Sequence, residues 1–236
     1  MISFTADIDW APEDALQDTI DLFKKYNVKC TLFATHDSAI LKSAPADLFE
    51  IGLHPNFNPL LNGTKESPDK IIDELISFYP DAVGIRSHSL TQNTWLLNKF
   101  KEKGMVYDLN NFLPYHQSLK PFKFYNGLLR IPFNWEDDYH FALNYSFDNC
   151  RIDLTDKDLN IFNFHPIHIY LNSENGDRFS RIKDDQSNME LLNQNRNIGG
   201  TPGTRDILIT LLEYVSKYKI ETWKMKEIYN KFQSSL

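Results

Sequence analysis

The sequence predicts a single α/β domain built on a parallel sheet, and three observations carry the prediction. Short apolar, strand-like runs alternate with helical patterns along the chain. The length of 236 residues suits a barrel of alternating strands and helices. Ionisable side chains recur where the strand-like runs stop, which is where parallel sheets bind ligands.

The first strand starts at Ile2 and runs into Asp7-Ile8-Asp9, and Pro12 then opens a helix over 12–26 with Leu16, Ile20 and Phe23 at helical spacing. A strand over 28–34 follows, and another over 49–53 stops at His54, where prolines and asparagines force an irregular loop through residue 59. Ser67 and Pro68 cap and open a helix that turns Ile71, Ile72, Leu75, Ile76 and Tyr79 inward. The strand over 82–85 ends at Arg86-Ser87-His88. A helix from about Asn93 closes at Gly104, before a strand over 105–108. Strands over 128–132 and 161–164 end in Trp135-Glu136-Asp137-Asp138 and His165-Pro166-Ile167-His168. Residues 172–203 are polar and aperiodic and read as a long surface loop or insertion. A helix over 204–218, a short strand over 220–223 and a terminal helix complete one domain spanning 1–236.

Composition narrows the function. Hydrophobic residues make up 42% and aromatics 14%, enough for a packed core with aromatic-lined clefts. The net charge of −7 comes with no block of Lys or Arg, so no nucleic-acid footprint is visible. Cys30 and Cys150 match no metal-ligand spacing and read as reduced thiols. No apolar run approaches the roughly 18 residues of a membrane span, and with a strand starting at Ile2 the chain reads as cytoplasmic.

The strand-end residues read as a metal-assisted hydrolytic site. In a strand, Asp7 and Asp9 share a face, and two crowded carboxylates call for a positive partner, most simply a divalent metal ion. Asp9 and His54 are the leading ligands, and Asp7 is left to accept a proton from water. A single acid capping the helix at Pro12 is the simpler alternative, but it needs only one of the two. Arg86 suits a bidentate grip that keeps Asp7 ionised. His165 is placed to protonate a leaving nitrogen, with Asp137 or Asp138 holding its imidazole, and His168, the second histidine of the H-P-x-H run, is a further catalytic candidate. A buried structural role for His165 is the competing reading.

These residues, in this order, resemble the polysaccharide deacetylase family, carbohydrate esterase family four. Asp7-Ile8-Asp9 resembles the variant D-x-D motif that supplies base and metal ligand. His54 through Asn58 resembles the H-x-x-x-H metal motif, Gly84-Ile85-Arg86 the arginine motif, Trp135 to Asp138 the Trp-and-Asp motif, and Phe164-His165-Pro166 the final histidine motif. The resemblance implies a distorted (β/α) barrel of about seven parallel strands. It further implies a zinc-type divalent metal and hydrolysis of an N-acyl group, acetyl above all, from an amino sugar.

Members without a signal segment resemble the cytoplasmic enzymes linked to surface polysaccharide, or O-antigen, synthesis. That subgroup implies a nucleotide- or lipid-linked acetamido sugar. Asn58 departs from the pattern by standing where the second metal histidine belongs, and an amide is a poorer zinc ligand than an imidazole. Three resolutions follow: His88 replaces the ligand, Asn58 coordinates weakly, or there is no metal. Of these, His88 is favoured here, because it lies two residues beyond Arg86. Two alternative functions stay open at this point, a carbohydrate-binding pseudoenzyme and a metal-independent hydrolase of another C–N amide bond.

Overall fold

The computed structural model describes residues 1–63, 67–150, 152, 154 and 158–234. Its frame is a nine-stranded sheet made of β1 (Ile2–Asp7), β2 (Cys30–Ala34), β3 (Phe49–Leu53), β4 (Gly84–Ile85), β5 (Tyr107–Asp108), β6 (Phe122–Lys123), β7 (Leu129–Arg130), β8 (Trp135–Glu136) and β9 (Asn160–Phe164). The order is β6-β7-β5-β4-β3-β2-β1-β9-β8, and every pairing is parallel except β6 with β7.

The two ends of that order meet, because β7 and β8 lie on one extended stretch, 129–136. On one side this stretch pairs with β5 and, through Phe133, with Phe112; on the other Trp135 pairs with Phe162. The sheet thereby curls into a distorted barrel whose staves are β1 to β5, the 129–136 stretch and β9. The predicted strands over 82–85, 105–108 and 128–132 are real but shrink to two paired residues each.

Alternation along the strands separates two cores. Phe4 and Ala6 of β1 face outward into the cluster shared with α1 (Glu13–Tyr26), α4 (Pro68–Phe78), α5 (Thr94–Glu102), α7 (Pro166–Leu171) and α10 (Thr204–Lys217). Phe33, Tyr107, Leu129, Ile131, Phe133 and Ile161 form a second cluster, which Met225 and Ile228 of the last helix, Met225–Phe232, close at one end. Gly84 is required there: a Cβ on it would sit 2.0 Å from the Tyr107 ring.

Helix boundaries follow the expected caps. Ser67 Oγ accepts the Lys70 N–H, Asn93 Oδ1 accepts the Leu96 N–H, and Gly104 follows the helix with φ +89°.

Two expectations are corrected. Residues 172–203 are not one loop: they carry the short helices Gly176–Ser180 and Met189–Gln194 and a 3₁₀ turn at Lys183–Asp185, with Ile182 and Leu192 buried. Segments of five or six residues are too brief to display a 3.6-residue period, and capping by Asn175 and Asn188 sets their ends. The expected strand over 220–223 is a single bridge between Thr222 and Ile2. β1 is already paired with β2 from Phe4 onward and with β9 from Ile2 onward, so only the edge beside Ile2 is free.

Candidate active site

The barrel gathers the nine residues singled out above at the C-terminal end of its strands. Asp7 is the last residue of β1 and points inward with Thr5 two residues before it. Asp9 does not continue that alternation. It sits beyond the strand in a left-handed conformation, φ 43°, which aspartate tolerates better than most residues. His54 follows β3 directly, and its N–H bonds the Ala34 carbonyl at 2.8 Å.

His88 likewise arrives from outside regular strand, since the chain turns after Ile85. The His88 N–H bonds the Pro55 carbonyl at 3.0 Å, and Ser89 and Leu90 take left-handed φ of 54° and 52°. The strand-alternation argument for His88 therefore fails in detail, while the turn brings the same side chain to the same place.

Asp9, His54 and His88 form a group whose donor atoms all lie within 4.8 Å of one another. Both imidazoles approach one carboxylate oxygen: His88 Nδ1 is 3.0 Å and His54 Nε2 3.4 Å from Asp9 Oδ1. Burial disfavours charge on Asp9, yet the two imidazoles outweigh it and hold its carboxyl well below the usual range. Asp9 in turn raises His88, against the opposing effect of burial. Two imidazoles and one carboxylate, converging on a cavity whose wall carries no lysine or arginine among the described residues, fit a divalent transition metal. Asn58 is turned away from this convergence, donating its amide to Ser89 Oγ at 3.2 Å, and does not line the cavity.

Behind the trio Asp7 is held in place on the cavity wall. Arg86 is wholly buried and puts Nε and Nη2 on Asp7 Oδ1 at 2.8 and 2.6 Å, while Asn163 Nδ2 donates to Oδ2 at 2.9 Å. Thr5 Oγ1 accepts from both Arg86 terminal nitrogens, at 3.1 and 3.2 Å, and the guanidinium carbon lies 4.3 Å above the Phe33 ring. Burial alone would raise the Asp7 pKa; Arg86, joined by His54 and His165, more than offsets this, and the carboxyl stays ionised. His54 Nδ1 lies 3.4 Å from Asp7 Oδ1 but makes no aligned hydrogen bond.

Across the cavity His165 is held by Asp137, not by Asp138. Asp137 Oδ1 is 2.6 Å from His165 Nδ1, Oδ2 accepts the His165 backbone N–H at 2.9 Å, and Oδ1 also takes the Asp138 N–H at 2.9 Å. Facing a carboxylate, Nδ1 carries a proton, which leaves Nε2 turned to the cavity. Burial lowers the His165 pKa, Asp137 raises it, and the balance lies well above the ordinary imidazole value. Asp138 is exposed at the rim. His168 is buried between Phe141 and Phe179, bonds Ser173 Oγ through Nδ1 at 3.1 Å, and is lowered by burial. It packs against His165 but lies outside the cavity that contains Asp7 and His54.

That cavity measures about 400 Å³ and opens into a second of about 450 Å³ through Asp9, His88, Asp138 and His165. Trp10, 41% exposed, stands edge-on to His88 at the rim. Sequence reasoning passed over Thr5, Asn163, Glu136 and Ser87, all buried or nearly so at the same end. Thr5 and Asn163 had a signal, each being a polar residue two positions before a site residue in a largely apolar buried strand. Burial, and then the Asp138 carboxylate, push Glu136 well above the usual carboxylate range.

With this geometry in hand, comparison with known proteins is decisive. The family model WbmS-like, polysaccharide deacetylase, matches residues 4–183. This chain belongs to that family. It is accordingly a hydrolase of C–N bonds other than peptide bonds. A solved structure from Bordetella bronchiseptica, described as a polysaccharide deacetylase involved in O-antigen biosynthesis, superposes with a TM-score of 0.83 at 38% identity over 90% of each chain.

A polysaccharide deacetylase structure from Mycobacterium smegmatis, at 16% identity and TM-score 0.57 over 99% of this chain and 90% of its own, shares the fold. So does the 4-alpha-glucanotransferase of Thermococcus litoralis, at 14% identity and TM-score 0.56, covering 98% of this chain and 38% of the larger enzyme. No curated protein sequence matches the WbmS-like chain. Among its described residues no helix is long and apolar enough to cross a membrane.

Proposed function

We propose that this WbmS-like deacetylase is a metal-dependent enzyme that removes an N-acyl group, acetyl in the simplest case, from an amino sugar used in surface polysaccharide assembly. The observation that carries the reading is the convergence of Asp9, His54 and His88 beside an ionised Asp7 and opposite His165. In it Asp9, His54 and His88 hold a divalent metal, zinc by donor type, which when bound polarises the scissile carbonyl and acidifies the attacking water.

Asp7, kept anionic by Arg86 and Asn163, accepts the proton of that water. His165 Nε2, kept protonated by Asp137, delivers a proton to the departing nitrogen. The O-antigen description of the Bordetella relative supports a nucleotide- or lipid-linked acetamido sugar as substrate. The turned-away Asn58 speaks against a site disabled at that position, because His88 stands with the other two donors.

The test is amine release from a panel of nucleotide-linked N-acetylhexosamines, before chelation, after exhaustive chelation and after zinc is restored. The reading expects activity, its loss and its return. Turnover that survives chelation would establish metal-free hydrolysis, and sugar binding without turnover of any panel member would establish a binding protein.

A further inference from the structure

We propose that Glu136 is a further catalytic residue, whose carboxyl oxygen accepts the N–H of the scissile amide and so turns the nitrogen lone pair toward His165. The proposal rests on the deacylase reading above and extends it to a residue that reading leaves idle.

Glu136 ends β8 immediately before Asp137, and its side chain lines the 400 Å³ cavity with Asp7 and His165. One donor atom from each of Asp7, Glu136 and His165 lies within 4.8 Å of the others, so the carboxyl group spans the gap between base and acid. What distinguishes it is its lack of strong partners. Asp7 and Asp137 each accept three short hydrogen bonds. Among the described residues Glu136 Oε1 has only Asn163 Nδ2 at 3.5 Å and His165 Nε2 at 3.9 Å, and that Nδ2 makes its shorter bond, 2.9 Å, to Asp7. A largely buried carboxyl group with unused acceptor capacity is costly unless a ligand supplies the donor.

Position identifies that donor. A nitrogen that receives a proton from His165 Nε2 must come within about 3 Å of it. With Glu136 Oε1 only 3.9 Å from the same Nε2, a nitrogen on the cavity side can meet both groups at hydrogen-bond distance. An amide nitrogen accepts no proton while its lone pair is delocalised. Once water has added to the carbonyl carbon the nitrogen becomes tetrahedral, and its N–H and lone pair point in different directions.

With the N–H on Glu136, the lone pair faces His165. The C–N bond then breaks, its electron pair staying on nitrogen as the His165 proton arrives; the oxygen from water remains on the acyl carbon, and the proton removed from water is on Asp7. Of the other carboxyls near His165, Asp137 is taken up by its three hydrogen bonds and Asp138 is exposed, which makes each the weaker candidate.

The experiment uses zinc-loaded full-length protein, Glu136→Leu, Glu136→Gln and the control Asp138→Asn. Substrates are the N-acetylhexosamine of the panel that is turned over and its N-methyl-N-acetyl analogue, which has no N–H. Wild type is expected to favour the N–H substrate in kcat/KM. Glu136→Leu should lower kcat for it by about tenfold or more, leave zinc affinity unchanged and shrink the N–H preference by a similar factor. Glu136→Gln keeps a carbonyl acceptor and should recover most of both.

An unchanged preference in Glu136→Leu, or a Glu136→Gln as impaired as Glu136→Leu, overturns the assignment while the deacylase reading stands. A shrunken preference in Asp138→Asn instead assigns the role to Asp138. Failure of wild type to turn over any panel member overturns both.

Discussion

Replacing Asp137 by Asn changes one atom and sets three hydrogen bonds against each other. Asp137 Oδ1 accepts from His165 Nδ1 at 2.6 Å and from the Asp138 N–H at 2.9 Å, and Oδ2 accepts the His165 N–H at 2.9 Å. An Asn that keeps its oxygen at the first position turns its NH₂ onto the His165 N–H, leaving a buried donor unmatched at a cost of about 1–3 kcal/mol. At roughly 2–4 °C per kcal/mol for a domain of this size, Tm should fall by roughly 2–12 °C. The opposite rotamer sets NH₂ against two donors and is worse.

The change also removes the negative charge that keeps His165 protonated. Because Asp137 raises the His165 pKa above the ordinary imidazole value, the acid form persists to higher pH in the parent, and the alkaline limb of the rate profile lies correspondingly high. Without the carboxylate that limb should move to lower pH. At neutral pH kcat should drop by about 10²-fold, within the range for a lost general acid. Zinc affinity should hold, since Asp137 is not one of the grouped donors Asp9, His54 and His88. Steady-state rates from pH 5 to 10, with calorimetry of unfolding, decide the matter. A variant with an unmoved alkaline limb and kcat within threefold of wild type would refute the assignment of His165 as acid and Asp137 as its support.

Asp7→Asn should retain zinc by elemental analysis and lose about 10²–10⁴-fold in kcat, because the base is lost and the ligands remain. Arg86→Met should destabilise the metal-free protein by about 3–5 kcal/mol in urea titration, since it strands a buried carboxylate. The Asp7 pKa is lowered from 3.8 on folding, so its stabilising contribution is full above that value and fades as pH falls through the folded pKa; the gap between parent and Arg86→Met should therefore narrow in acid. His88→Ala should weaken zinc binding, measured by competition with a chromophoric chelator, by more than Asn58→Ala does, and equal losses would return Asn58 to the ligand set.

Much of the fold was legible because strand ends and helix caps are local. Ser67-Pro68, Asn93 and Gly104 mark boundaries the structure keeps. Closure of the barrel was not legible. The 129–136 stretch pairs on both sides across Pro132, and two-residue strands carry no period to read.

The site divides in the same way. His54, Arg86 and His165 follow directly after strands, where composition alone singles them out. Asp9 and His88 reach the cavity through left-handed turns, so their meeting depends on tertiary hydrogen bonds such as that of the His88 N–H to the Pro55 carbonyl. Asn163 and Thr5 act through Asp7 and Arg86, and nothing local marks such indirect partners beyond a polar residue in an apolar strand. Glu136 was obscured by its acidic neighbours Asp137 and Asp138.

The central claim is that Asp9, His54 and His88 hold a metal in front of Asp7. Zinc-edge anomalous diffraction from crystals of the zinc-loaded protein tests it without reference to any substrate. The account predicts one strong peak at the floor of the cavity, with oxygen of Asp9 and nitrogens of His54 and His88 at about 2.0–2.2 Å. A peak ligated by Asn58 with His88 turned away, or no peak at Asp9 and His54, would contradict it.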